Sequence, residues 1–284
     1  MGTNVQLKYE IWDPTGNITA LVESPVPPAE RPAAASVLMQ AHPEVEQVGF
    51  VCFPEEAGSP VDAELCMAGG EFCGNASICT AAMFLLKKGI GCGTSVPVRL
   101  RVSGAAQAVE VTIRRDADGS FSACVIYPPL LGVTAQQLFF GGRSETLWAV
   151  CLQGITHIII RPDSCFWSLR EDPAGAEAAL RDWCALLGAD CLGLMFLEAE
   201  GAAYRLTPFV FVPGSGTFFR ENSCASGSAA AAVLLASECG HPVTLELREP
   251  GGCLRAGCDP SSGRIFLFGQ ARLAGSFTMD FPSL

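Results

Sequence analysis

Residues 69–89 run GGEFCGNASICTAAMFLLKKG, and residues 220–240 run RENSCASGSAAAAVLLASECG. Each stretch is a cysteine in a loop of small and polar residues, then an apolar helix-forming run, then a glycine stop. The first run contains Ala81-Ala82-Met83-Phe84-Leu85 and closes on Lys87-Lys88-Gly89. The second contains Ala229 to Ala232 and Val233-Leu234-Leu235, and closes on Cys239-Gly240. A helix that is apolar on every side is buried on every side. Cys73 and Cys224 lie about half the chain apart, so the two stretches form a weak internal duplication. Chance likeness between Ala-rich buried helices is the competing explanation.

Short β-like runs lie on both sides of these helices. Alternation and β-forming residues predict strands at 5–12, 98–102, 108–113, 121–127, 149–152, 157–160, 194–197, 204–212, 243–247 and 265–268. Further helices are predicted from Pro28 to Met39 and from Ala174 to Leu187. The fold class is therefore α/β. At about 150 residues per domain, a chain of 284 residues makes two domains or one large one. An apolar fraction of 49% against 17% charged residues excludes the disordered and fibrous classes. The formal charge of −11 disfavours nucleic acid and anionic membrane surfaces as partners. No uninterrupted apolar stretch approaches the ~18–20 residues needed to span a bilayer. The N-terminal MGTNVQLKYEIWD has no apolar core of a signal peptide, so a reducing cytoplasm is the expected setting.

Fourteen cysteines are the oddity of the composition. Disulfide scaffolds are shorter and denser in cysteine. Structural zinc favours Cys-x2-Cys units or Cys/His combinations. The closest spacings here are wider, and the only histidines are His42, His157 and His241, so no metal is expected. Most of the thiols are expected to act as small core hydrophobes.

Cys73 and Cys224 stand apart because each begins a buried helix. Unpaired backbone N–H groups and the helix dipole stabilise a thiolate there. The same N–H groups bind anions, and small residues let a ligand approach the backbone. Two such helix starts aimed at one another would hold a carboxylate between them, with one thiol on each side of its Cα. That arrangement suits inversion of a stereocentre α to a carboxylate. One thiolate takes the Cα proton, the opposite thiol delivers its own to the other face, and oriented N–H donors bind the developing enediolate charge. Pyridoxal phosphate needs a lysine Schiff base. The only lysines are Lys8 in a strand and Lys87 and Lys88 at a helix end, so no cofactor is expected.

The chain resembles the diaminopimelate epimerase family of cofactor-independent two-cysteine racemases and epimerases. Glu71-Phe72-Cys73-Gly74-Asn75-Ala76 resembles the family's first cysteine loop, and Asn222-Ser223-Cys224-Ala225-Ser226-Gly227-Ser228-Ala229 its second. Gly16-Asn17 resembles its G-N-D-F segment, and Gly154-Ile155-Thr156-His157 its G-N-P-H turn. The resemblance implies two pseudo-symmetric lobes, each a curved mixed β-sheet or barrel around a central apolar helix. It places the active site in the cleft between them. The lobe boundaries it suggests are residues 1–128 with 270–284, and 129–269. It implies Cys73 and Cys224 as the catalytic pair and Gly74, Asn75, Ala225 and Ser226 as a carboxylate cradle. Asn17, His157 and Glu221 then contact substrate, with Glu71 a further candidate carboxylate. Plain helix capping by Asn75 and Ser226 is the alternative for those two residues. A homodimer is expected.

The family's Glu-Arg pair in V-Y-E-R-G is absent from the matching Val210-Phe211-Val212-Pro213-Gly214. Loss of that clamp argues against diaminopimelate and for a single smaller α-amino acid, with histidine the leading expectation. Diaminopimelate epimerase itself or a carboxylic-acid isomerase of the same fold is the alternative, and a thiol-redox or metal-binding protein lies further off.

Overall fold

The computed structural model describes residues 4–54, 56 and 58–282. Along the chain the elements are β1 (Asn4–Asp13), β2 (Thr19–Val22), α1 (Arg31–Ala41), β3 (Gln47–Cys52), β4 (Ala63–Met67), α2 (Gly74–Lys87), β5 (Ser95–Val102), β6 (Val109–Arg115) and β7 (Phe121–Ile126). They continue with β8 (Gly132–Phe140), β9 (Arg143–Leu152), β10 (Ile155–Ile160), α3 (Pro173–Leu187), β11 (Leu192–Glu200), β12 (Ala203–Val212) and β13 (Thr217–Arg220). The last are α4 (Ala225–Cys239), β14 (Val243–Glu249), β15 (Gly252–Asp259) and β16 (Arg264–Pro282). Two compact units divide the chain: Met1–Val125 with Phe268–Leu284, and Ile126–Leu267.

In the first unit the strand order is β1-β2-β3-β4-β5-β6-β7-β16, and β16 pairs again with β1, closing an eight-strand barrel. Alternation explains its faces. In β5, Val98, Leu100 and Val102 are buried while Arg99 and Arg101 are exposed, and β6 buries Val109, Val111 and Ile113 in the same way. Helix α2 is buried continuously from Gly74 to Leu85 and packs on β2, β4, β5 and β6. Burying Ile78, Met83 and Leu85 stabilises this unit by about 1.5–3 kcal/mol per side chain. Ala34, Ala35 and Leu38 of α1 close a second cluster with Val22, Val26 and Phe50.

In the second unit the order runs from the first residues of β16 through β15-β14-β12-β11-β10-β9 to β8, with β13 on β12. The sheet is mixed: β10–β11 and β12–β14 are parallel, and β14–β15, β11–β12 and β8–β9 are antiparallel. Helix α4 is buried from Ala225 to Leu234 and packs on β9, β10, β11, β14 and β15. Helix α3 packs on β11 and β12, with Trp183 in a core that includes Phe166, Phe196 and Phe209. The fold is thus mixed α/β with a closed eight-strand barrel and few helices. Among the described residues, no helix is long and apolar enough to cross a membrane. Cys79, Cys184, Cys191 and Cys258 are buried, the place expected of small hydrophobes. The expectation fails for the majority: Cys52, Cys92, Cys165, Cys239 and Cys253 are exposed and Cys66, Cys124 and Cys151 only half-buried, because they fall on solvent-facing strand positions, in loops or, for Cys239, at the end of α4.

Candidate active site

Cys73 is the residue before α2. Its backbone is extended (φ −128°, ψ 114°), which turns the side chain back over the first helical turn. The Sγ then accepts the Ala76 N–H at 3.3 Å, and the Cys73 carbonyl accepts the Ser77 N–H at 3.0 Å and the Ser77 hydroxyl at 2.7 Å. The thiol donates to Gln47 Oε1 at 2.9 Å. The Gln47 amide in turn donates to Asn17 Oδ1, which also accepts from Asn75 Nδ2 at 3.0 Å. Asn17 Nδ2 donates to Glu46 Oε2 at 2.5 Å. Asn17 reaches this position from a tight turn in which Thr15 (φ 63°) and Gly16 (φ 88°) are left-handed and the Gly16 N–H bonds to Asp13 Oδ1.

The loop before Cys73 is fixed from behind. Ser103 Oγ accepts the Met67 N–H and donates to the Glu71 carbonyl, both at 2.9 Å. Gly104 (φ 72°) lies against the chain, where a Cβ would come within 2.4 Å of Phe72 N. The Glu71 carboxyl is held above its usual range, first by burial and against backbone hydrogen bonds from Glu71 and Gly69.

Cys224 stands before α4 in the same backbone conformation (φ −125°, ψ 99°). Its Sγ accepts the Gly227 N–H at 3.4 Å, and its carbonyl accepts the Ser228 N–H at 2.9 Å. The surroundings differ. Cys224 is buried, and its Sγ lies 3.6 Å from Ser226 Oγ, which lies 2.9 Å from His157 Nε2 on β10. The His157 ring is fully buried against Gly193, where a Cβ would lie 2.3 Å from Nδ1. Burial lowers His157 to about 3, so the imidazole is neutral. Burial first, then the charges of Glu221 and Glu249, push the Cys224 thiol well above its ordinary range. A hydrogen bond with Glu221 adds to that shift, and one with Ser226 opposes it. Glu249 Oε2 accepts the Cys224 N–H at 2.5 Å, and its other oxygen bonds the Ser228 hydroxyl.

Asn17, Gly74 and Asn75 therefore sit around Cys73, and His157, Glu221, Ala225 and Ser226 around Cys224. His157 reaches its cysteine only through Ser226. Asn17 is 1% exposed and spends its amide on Glu46, Gln47 and Asn75. Gln47, Glu46 and Glu249 were not foreseen from the sequence. Gln47 begins β3 and pairs in parallel with Thr19 of β2, beside Asn17, a juxtaposition that no local motif signals. Glu249 did carry a signal. It follows Leu245 and Leu247 at the inward positions of β14, where a carboxyl is out of place. Among the described residues, no group of three or more His, Cys, Asp or Glu is placed to hold a metal ion.

The chain matches the family model described as histidine racemase CntK N-terminal domain over residues 6–268. A histidine racemase of Fusobacterium nucleatum is 26% identical over 249 residues, 85% of each chain. A histidine racemase of Staphylococcus aureus is 25% identical over 236 residues, 80% of this chain and 79% of that one. Among solved structures, a hydroxyproline epimerase from Agrobacterium vitis with bound trans-4-hydroxy-L-proline superposes with a TM-score of 0.71 at 12% identity, covering 100% of this chain and 95% of that one. A probable proline racemase from Agrobacterium radiobacter gives 0.64 at 15% identity, covering 97% and 91%. At such identities the structural likeness speaks for the fold.

Proposed function

Since the chain belongs to the histidine racemase CntK N-terminal domain family, and so to the isomerases of the racemase and epimerase type, we propose that it racemises one free α-amino acid, histidine, through Cys73 and Cys224 and without a cofactor. The observation that carries this reading is the shared cap. Each of two helices, buried over most of its length, follows a cysteine whose Sγ takes the N–H three residues on.

In this mechanism the substrate carboxylate binds N–H groups at the helix starts, those of Gly74 and Asn75 and those of Ala225 and Ser226. One cysteine acts as thiolate and removes the Cα proton. The electron pair moves into the carboxylate as an enediolate, which the N–H donors stabilise. The opposite thiol then protonates Cα on its other face. The enzyme is left with thiol and thiolate exchanged, ready for the reverse reaction. Cys224 fits the thiol role at rest, because burial first, and then Glu221 beside it, oppose its ionisation. The reading requires the two thiols to take opposite faces of one Cα. The missing Glu-Arg clamp at 210–214 favours a substrate with one amino-acid end.

The test is incubation of the reduced protein in deuterated water with L-histidine and a panel of other L-amino acids, without pyridoxal phosphate. Deuterium at Cα together with the D-enantiomer is expected with histidine. Exchange on another amino acid alone would move the substrate assignment. No exchange on any of them by folded protein overturns the racemase reading.

A further inference from the structure

The mechanism above makes no use of Glu249, yet this carboxyl is bonded to the backbone of a catalytic cysteine. Glu249 ends β14 on the strand's inward face and is 8% exposed. One oxygen accepts the Cys224 N–H at 2.5 Å, and the other bonds Ser228 Oγ one turn into α4. Two residues on, the Gly251 N–H donates to the Asn222 carbonyl at 2.7 Å, so the β14–β15 turn and the loop before α4 are tied at two points. Among the described residues, no ion pair engages the carboxyl. Arg248, its neighbour in the strand, points outward to Glu200 and Glu246. Titratable groups on the elements packed around it include Cys224, with Glu221 just before it, at the start of α4, Cys253 on β15 and the neutral His157 on β10, while Glu238 and Cys239 lie at the far end of α4 and Arg255, Cys258 and Asp259 further along β15.

We infer that Glu249 is a positioning residue for Cys224 that works in its protonated form, clasping the start of α4 without placing a negative charge beside the bound substrate carboxylate. The positive end of a helix dipole attracts whichever anion is nearest. An ionised Glu249 would be that anion. It would compete with the substrate for the N–H groups of Ala225 and Ser226, and it would hold Cys224 protonated. A neutral carboxyl keeps the clasp and leaves the helix end to the ligand. Burial favours the neutral form, pushing Glu249 up to about 8 against the opposing bonds from Ser228 and Cys224. Activity is therefore switched down as pH rises through that region.

This inference rests on the racemase reading, and two measurements keep the two apart. The first is the pH profile of kcat/KM. The wild-type protein is expected to show an alkaline decline centred near pH 8. Glu249→Gln keeps an acceptor for the Cys224 N–H, cannot ionise, and removes that decline. Ser228→Ala deletes a donor that favours the carboxylate and shifts the decline to higher pH. Glu249→Leu removes the clasp and lowers kcat/KM tenfold or more at every pH. The substrate's own ammonium titrates identically in all variants and cancels in the comparison. A decline of unchanged midpoint in both Glu249→Gln and Ser228→Ala, or full activity in Glu249→Leu, overturns the inference. If Glu249→Gln fails to fold, Ser228→Ala still decides it.

The second measurement needs no activity. Infrared difference spectra between wild type and Glu249→Gln, with ¹³C-labelled glutamate and no substrate, should show a protonated carboxyl band at pH 6.5 that fades as pH passes 8. Absence of that band at pH 6.5 overturns the inference even in an active enzyme. Its presence in a protein that exchanges no amino acid leaves Glu249 protonated as inferred, and it is then the racemase reading that falls.

Discussion

At the start of α2 the Cys73 thiol faces amides: Gln47 accepts from it, and Asn17 holds Gln47 and Asn75 together. At the start of α4 the Cys224 thiol is buried among Ser226, Glu221 and Glu249, with His157 one bond further back. The backbone treats the two alike, with the same extended cap, the same Sγ bond and the same carbonyl bond four residues on. Cap geometry follows from a cysteine preceding a buried helix, so it repeats wherever the motif does. The side-chain neighbours come partly from each loop, as Glu221 does, and partly from strands alongside, as Gln47 and Glu249 do, and they need not repeat. Two cysteines can therefore be equivalent in cap geometry and unlike in their side-chain neighbours.

The largest expected effect tests the equivalence itself. Cys73→Ala and Cys224→Ala should each lower racemisation by about 10²–10⁴-fold or more, since each removes one of the two proton-transfer groups. Chiral chromatography of the product reads this directly. If either variant racemised at the wild-type rate, the two capped cysteines would not be partners.

A smaller effect separates the supports behind them. Gly104→Ala puts a Cβ 2.4 Å from Phe72 N at a φ of 72°, and neither the backbone nor the dihedral can yield. Gly227→Ala puts one 2.2 Å from Met195 Sδ, the end of a flexible side chain, and 3.2 Å from Cys224 Sγ. Overpacking costs about 1–3 kcal/mol, and the left-handed backbone at Gly104 adds roughly 1–2 kcal/mol. Urea denaturation should rank Gly104→Ala as the more destabilised. The reverse order would mean that the α4 side is the more rigid.

The smallest effect is a slope. His157 is lowered from 6.5 to about 3, so its contribution to stability is complete above pH 6.5 and is lost as pH falls toward 3. Glu249 is raised from 4.5 to about 8, so its contribution is complete below pH 4.5 and is lost as pH rises toward 8. Between 4.5 and 6.5 the two oppose each other, and their joint contribution is flat. Each slope outside that window is at most about 1.4 kcal/mol per pH unit. Glu249→Gln should flatten the alkaline side, and His157→Gln the acid side. Denaturation midpoints at half-unit pH steps would show it, and an unchanged alkaline slope in Glu249→Gln would assign that slope to other groups.

Legibility in the sequence divided along physical lines. Helices α2 and α4 were visible because a helix apolar all round has one reading, and β5, β6 and β14 because alternation has period two. Strand β2 is four residues buried on every side, and β8 buries only Leu138 of its nine residues, so neither alternates clearly and both were missed. Strand β16 was foreseen only at its start, although it runs from Arg264 to Pro282. The cysteines announced themselves by position in their motifs. Their tuning did not, because Gln47 and Glu249 arrive from strands 26 and 25 residues away through sheet pairing. A tertiary neighbour leaves no local pattern unless it breaks one, as Glu249 does.

The closed barrel has a consequence for synthesis. Its seam joins the first strand to the last, with Leu7 opposite Met279 and Ile11 opposite Gly275. A ribosome must therefore translate the whole of Ile126–Leu267 before the strand that completes the first unit exists. That middle segment is contiguous and can fold as it emerges, while β1 to β7 wait as an open sheet with unpaired edges. Seam closure is as non-local a contact as the chain can make, and it is expected to be the slow step of folding.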